Sequence, residues 1–214
     1  MLARFCLFLA PLVAGVLCHD EHPLERRDHQ FPIQDPKLSI NGIPYSTRAY
    51  WMRQANLALH EPCPFAAFGS VIVNHTGDNG LGQLVCTGAN SNRQTGNPTL
   101  HAIAGRRPRG LPSLTLYTNA ESCPMCASAI RWAGFREYVY GTSIDTLVAR
   151  GWGQIRVASA DIFRQSWDLP YSSRLIGGVL ANETDTYFGW QFDPAAPCPT
   201  GCGRALGAAG CVAK

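Results

Sequence analysis

The sequence predicts an α/β fold, a three-layer α/β/α sandwich on a mixed central sheet, and three observations predict it. Helix-period and strand-period apolar patterns follow one another between residues 45 and 142 in the order helix, hairpin, strand, helix, strand. At 214 residues and 46% hydrophobic content the chain can pack one core, and two would be cramped. No internal repeat interrupts the pattern, which sets solenoids and propellers aside.

The first element is YSTRAYWMRQANLALH, Tyr45 to His60, where Trp51, Ala55 and Leu59 recur at helical spacing with Met52 and Ala58 beside them. Ser46 or Thr47 is placed to cap its start. Next, FGSVIVNHTGDNGLGQLVCTGAN carries a β-branched run at Val71 to Val73, a Gly/Asp/Asn turn and a second run from Leu84 to Thr87, a hairpin. The element near His101 stays open. LTLYT at 114–118 is a third strand, Cys123 to Ala133 a helix with Ala127, Ile130 and Trp132 facing inward, and EYVYGT at 137–142 a fourth strand. SIDTLVARG reads as helical, SSRLIGGVLANETDTYFGWQ supplies one more helix, and the tail PAAPCPTGCGRALGAAGCVAK is Gly/Ala/Pro-rich and pinned by cysteines.

Residues 1–18 carry one early cation, Arg4, and an uncharged apolar run from Phe5 to Cys18, which reads as a secretory signal peptide. The run is short of the roughly 20 residues a membrane anchor needs, so no membrane contact is expected once it is removed. Residues 19–43 read as a leader or linker, with Arg26-Arg27 as a propeptide processing site; residues 44–192 read as the folded domain and 193–214 as its tail. The expected location is extracellular. Of nine cysteines, Cys6 and Cys18 leave with the signal. If Cys123 and Cys126 bind metal, Cys63, Cys86, Cys198, Cys202 and Cys211 remain, enough for two disulfides of open pairing and one unpaired thiol. Asn74-His75-Thr76 and Asn182-Glu183-Thr184 are glycosylation sequons, as a secreted glycoprotein would carry. The net charge of +3 is dispersed except at Arg106-Arg107-Pro108-Arg109, which reads as a solvated loop and argues against a nucleic-acid partner.

Chemistry concentrates in HAIAGRRPRGLPSLTLYTNAESCPMC, His101 to Cys126. Cys123 and Cys126 share one face of a helix at its first turn, and Pro124 suits a position whose amide proton would go unpaired. The N-terminal end of the helix favours thiolates. With His101 they make three protein ligands for one Zn²⁺ and leave the fourth position to water, an arrangement of catalytic type. Two bland readings stand beside this: a Cys-x-x-C that forms a redox pair or disulfide, and a His101 buried without metal.

The segments PFAAFGSVIV, TGAN, NPTLHA, LYTNAESCPMCASAIRWAG and YVYG together resemble the zinc-dependent cytidine deaminase superfamily, whose signature is H-x-E followed by P-C-x-x-C. CPMCASAIRWA before YVYG, with GGVLANET near the end, is most similar to the guanine deaminase and tRNA adenosine deaminase branch. The resemblance implies a cytidine deaminase-like fold over 44–192 and a small-molecule nucleobase or nucleoside as partner. It implies hydrolytic deamination, in which the water on zinc replaces a ring amino group and ammonia leaves. It also implies His101, Cys123 and Cys126 as zinc ligands, Asn90 as a hydrogen-bonding contact to the base, and a homodimer as a reasonable assembly. Asn90 reads equally as a turn residue after a strand.

Two departures bear on activity. Ile103 stands where the family has its catalytic glutamate, and an alkyl group cannot carry protons between water, ring and leaving amine, help typically worth about 10²–10⁴ in rate. Glu121, nearest in sequence, is the one acid to weigh as a substitute; Ser122 after it replaces the usual proline. Moreover, the interval between His101 and Cys123 looks short by roughly two helical turns, and AGRRPRGLP cannot complete a long helix. Either the helix is cut back in the natural protein or residues including the glutamate are missing from the deduced sequence. Three functions follow: a secreted zinc deaminase, a catalytically inactive zinc- and base-binding descendant, and a disulfide-stabilised secreted protein without metal.

Overall fold

The computed structural model describes residues 39–59, 61–77, 80–96, 101, 111–204 and 210–214. The expected signal peptide, most of the leader with Arg26-Arg27, Ile103 and the Arg106–Arg109 cluster lie outside the described residues. Ser39–Ile40 (β1) and Ile43–Pro44 (β2) pair antiparallel across Asn41 and Gly42, whose φ angles are 58° and 76°. Asn-Gly tolerates this left-handed pair of conformations. Residues 39–43, read from the sequence as the end of a leader, are thus part of the folded unit.

Tyr45–Leu57 (α1) follows directly. It starts at Tyr45 behind Pro44 (φ −62°) and has no side-chain cap, so neither Ser46 nor Thr47 plays the expected role. The hairpin expected from sequence is Gly69–Asn74 (β3) and Gln83–Ala89 (β4), with a bulge between Ile72 and Val73. A short helix, Asn92–Thr95 (α2), precedes Leu114–Ala120 (β5), which pairs antiparallel with β3. Pro124–Ala133 (α3) then crosses to Glu137–Thr142 (β6), parallel to β5. Ile144–Ala149 (α4), Ser159–Gln165 (α5), Arg174–Ile176 (β7, parallel to β6) and Ala181–Thr184 (α6) complete the domain. The sheet order is β4-β3-β5-β6-β7, so the sheet is mixed.

Strand alternation divides the core in two. Val71, Val73, Tyr117 and Val139 pack on Trp51, Met52 and Ala55 of α1. Leu114, Leu116 and Tyr138 face the other way, onto Ile130 of α3 and Phe163 of α5. These are the three expected layers. Gly69 lets α1 approach β3, since a Cβ there would lie 2.1 Å from the Ala55 carbonyl oxygen. Ser143 Oγ accepts from Thr146 N–H and caps α4, within the segment expected to be helical.

Other expectations are corrected or refined. Trp132 is 73% exposed, because the inward stripe of α3 runs through Cys126, Ala127, Ile130 and Arg131, and Trp132 lies beyond it. The segment from Ser172 gives first a strand, β7, whose Leu175 and Ile176 extend the sheet beside Tyr138 and Val139, and only a four-residue helix after it. The tail contributes a hairpin, Cys202–Arg204 (β8) with Cys211–Ala213 (β9). Two disulfides join described residues, Cys63–Cys202 and Cys198–Cys211. Cys86 is disulfide-bonded as well, so the expected unpaired thiol is not found there. At the first sequon, Asn74 Oδ1 accepts from Thr76 N–H and Oγ–H; at the second, Thr184 is fully buried and bonded to Thr142 Oγ1. Among the described residues, no helix is long and apolar enough to cross a membrane.

Under α1 lies a buried ion pair that the sequence does not announce. Arg48 donates to both carboxylate oxygens of Glu137 (3.1 and 3.3 Å), and both side chains are enclosed. Asn41 and Thr115 also donate to this carboxylate, and Arg48 donates to the Ile40 carbonyl. Burial pushes the Glu137 carboxyl up, but the bonds and charge of Arg48 outweigh it and leave it below its ordinary value. Removing one partner strands the other charge. Glu137→Gln is therefore expected to cost about 3–5 kcal/mol, read from denaturant unfolding.

Nearby, His75 Nε2 lies 3.0 Å from the Tyr117 hydroxyl, and burial, with Arg48 adding, lowers its pKa to about 4. The unfolded chain binds this proton near 6.5 and the folded one does not, so stability is full above pH 6.5 and falls as pH drops towards 4. Thermal unfolding between pH 7 and 4 is expected to lose stability over this window, with a shallower slope in His75→Gln.

Candidate metal centre

The site sits where the polar ends of β5 and β6 meet the start of α3. Asn119 closes the end of β5 on the chain before β3, accepting from Gly69 N–H (3.0 Å) and donating to the Ala67 carbonyl (2.7 Å). Glu121 follows. Its Oε2 accepts from Ile144 N–H (2.9 Å), and its Oε1 accepts from Ser159 N–H (2.8 Å) and Oγ–H (2.7 Å). One buried carboxylate thus ties the first residues of α4 and α5 to the loop before α3. Ser122 N–H donates to the Tyr138 hydroxyl (2.7 Å), a bond that proline at this position could not make.

These anchors fix Cys123 as the residue before α3, Pro124 as its first residue and Cys126 in its first turn. His101 Nδ1 lies 3.6 Å from Cys123 Sγ and 3.4 Å from Cys126 Sγ, and the three ligand atoms all fall within 4.8 Å of one another. Tetrahedral zinc, with Zn–S about 2.3 Å and Zn–N about 2.0 Å, sets a nitrogen about 3.5 Å from a thiolate sulfur. The spacing and the borderline-soft donor set fit that ion. The Cys126 hydrogen bond, with His101 adding, brings the Cys123 thiol well below its ordinary value, whereas the same bond and burial push Cys126 up. His101 is raised, chiefly by its bond to Cys123.

The trio opens into a cavity of about 450 Å³ that Asn90, Phe68, Met125, Trp152 and Ile155 also line. Sites for small molecules span about 300–1,000 Å³. Asn90 Oδ1 accepts from Asn92 N–H, so its amide group is held at the cavity wall. The structure brings together His101, Cys123, Cys126 and Asn90, the residues singled out from sequence. Glu121 also borders the cavity, with both oxygens engaged elsewhere, and it is the sole carboxylate among the described lining residues. Sequence reasoning missed Phe68 and Trp152; a tryptophan between two glycines, in GWG, was the one available signal. Because Glu121 joins two helix starts, Glu121→Gln is expected to cost about 2–3 kcal/mol equally in zinc-loaded and zinc-free protein. Unchanged stability with lost turnover would make it a proton carrier instead.

Residues 45–142 match the family model described as the cytidine and deoxycytidylate deaminase zinc-binding region. A probable cytosine deaminase of Schizosaccharomyces pombe is 34% identical over 87 residues, 38% of this chain and 50% of that protein, so the chain spans about half the length of the curated relative it matches. Among solved structures, a protein in complex with 2,6-diaminopurine superposes with a TM-score of 0.52 at 20% identity, covering 70% of this chain and 82% of that one. A guanine deaminase from Nitrosomonas europaea gives 0.49 at 21% identity over 68% and 82%.

Proposed function

Because residues 45–142 belong to the cytidine deaminase-like superfamily, we propose that this chain holds one Zn²⁺ on His101, Cys123 and Cys126 and takes a nucleobase or nucleoside into the adjoining cavity. The chemistry of that family is hydrolytic deamination, and this chain as written is a base-binding form of it with little or no turnover. The observation that carries this reading is a ligand-sized cavity with the His/Cys/Cys group in its wall and no free carboxylate among its described residues.

Zinc, when bound, supplies Lewis acidity to a hydrolytic attack on a ring carbon. The rest falls to the protein. The Asn90 amide group is left to donate to a ring acceptor, since its oxygen is taken by Asn92 N–H. Phe68 and Trp152 offer apolar surface to a flat ring. Among the described residues of the cavity, no carboxylate is left free to move protons. Glu121 oxygens already accept three hydrogen bonds, and Ile103 stands at the position of the family glutamate.

The apolar residues 5–18, the disulfides and the two sequons support secretion as the setting. The test is calorimetric binding of guanine, adenine, cytosine and their nucleosides to zinc-loaded protein, with ammonia release followed in parallel. Binding of one base with ammonia near background is the expected result. Absence of binding by all of them contradicts the reading, and rapid turnover contradicts its inactive half.

A further inference from the structure

The segment of residues 61–68, on the way from α1 to β3, brings Ala66 and Phe68 to the cavity without helix or strand of its own. From the domain side it is tied by Asn119 to Ala67 and by Asn90 N–H to the Phe68 carbonyl (2.9 Å). From the other side it is tied by the chain's C-terminal region. Cys63 is bonded to Cys202, 139 residues away, and Gln191 Nε2 donates to the Phe65 carbonyl (2.9 Å). The Phe65 ring packs against Trp152 (5.6 Å), Trp190 (6.2 Å) and Phe192 (5.9 Å). Trp152, itself a cavity wall, packs edge-on to Phe192 (5.3 Å) and donates to the Phe188 carbonyl (2.8 Å). Trp190 packs in one cluster with both disulfides.

Phe68 packs on Phe188 (5.0 Å), so both aromatic walls of the cavity, Phe68 and Trp152, lean on residues 188–192, outside the matched family region. We infer that this C-terminal region is a covalent strut for the ligand cavity. The Cys63–Cys202 bridge holds the Phe65–Phe68 segment against Trp152 and fixes the distance between the aromatic wall and the His101/Cys123/Cys126 group. The inference rests on reading that cavity as the ligand site. An aromatic wall set in place before binding spares the ligand the cost of ordering it. Cys63, Cys202 and Gln191 are positioning residues in this scheme; none is among the described residues that line the cavity. The second bridge, Cys198–Cys211, closes only a local loop of separation 13 and braces the tail hairpin.

The experiment compares Cys63→Ser/Cys202→Ser with Cys198→Ser/Cys211→Ser in the full chain. Hydrogen exchange of residues 62–69 and 150–155, zinc content and calorimetric affinity for 2,6-diaminopurine are measured in each. In the first variant, exchange in both segments and the Kd for the purine are expected to rise by about tenfold or more while zinc stays bound. The second variant is expected to loosen 198–213 and leave 62–69 protected. Unchanged exchange in the first variant, or equal loosening of 62–69 in both, overturns the strut. If the unaltered chain does not bind the purine, the purine form of the ligand reading fails and the strut is judged on exchange alone. Should the first variant not fold, Gln191→Ala is expected to give the same local pattern more weakly, and its absence overturns the inference.

Discussion

Ile103→Glu is expected to raise ammonia release from a bound nucleobase by about 10²–10⁴-fold over the unaltered chain. The reason is chemical. Deamination needs a proton taken from water, given to the ring and passed to the departing amine, and no described residue of the cavity has a carboxylate free for this. The substitution adds that group two residues from His101, the spacing of the family motif. The measurement is initial-rate ammonia release by zinc-loaded protein, with zinc content and unfolding followed in parallel. A gain with zinc and stability unchanged means a site that lacks its proton carrier alone. No gain, with zinc retained, means that the short interval from His101 to Cys123 has moved position 103 away from the ligand, and the pocket is then incomplete in more than one residue.

Cys126→Ser is expected to reduce bound zinc from about one ion per chain to almost none after dialysis. A serine hydroxyl stays protonated at neutral pH and is a poor replacement for a buried thiolate. Two ligands, His101 and Cys123, would be left. The sheet should survive, because the clusters around Val71, Tyr117 and Leu116 do not include the site. Plasma mass spectrometry and far-ultraviolet circular dichroism check the two halves of this expectation. Zinc retained at full occupancy in the folded variant would remove Cys126 from the ligand set.

Much of this was legible in the residues themselves. The β-branched run Val71 to Val73, the strand LTLYT, helical spacing through Trp51 and Ala55, and the Cys-x-x-C at a helix start carry local signals, because each depends on neighbours within a turn or a strand. The illegible parts depend on distant partners. Glu137 looks like a charged strand residue until Arg48 and Asn41 arrive from α1 and from the β1–β2 turn. Glu121 reads as a candidate acid until Ile144 and Ser159 occupy its oxygens. Arg174 to Ile176 lies within the segment read as a helix and becomes a strand because β6 presents an edge to pair with. Trp132 is apolar and lies on a helix, yet the inward stripe passes it by one position. The disulfide pairing is invisible to spacing, since Cys63 finds a partner 139 residues on.

A peptide map of the unreduced, unaltered protein together with its metal content decides whether Cys123 and Cys126 hold zinc. Cys123 and Cys126 are expected as free thiols with one zinc per chain, with Cys63–Cys202 and Cys198–Cys211 among the bridges and Cys86 disulfide-bonded as well. A Cys123–Cys126 disulfide in a folded protein without zinc would contradict this expectation.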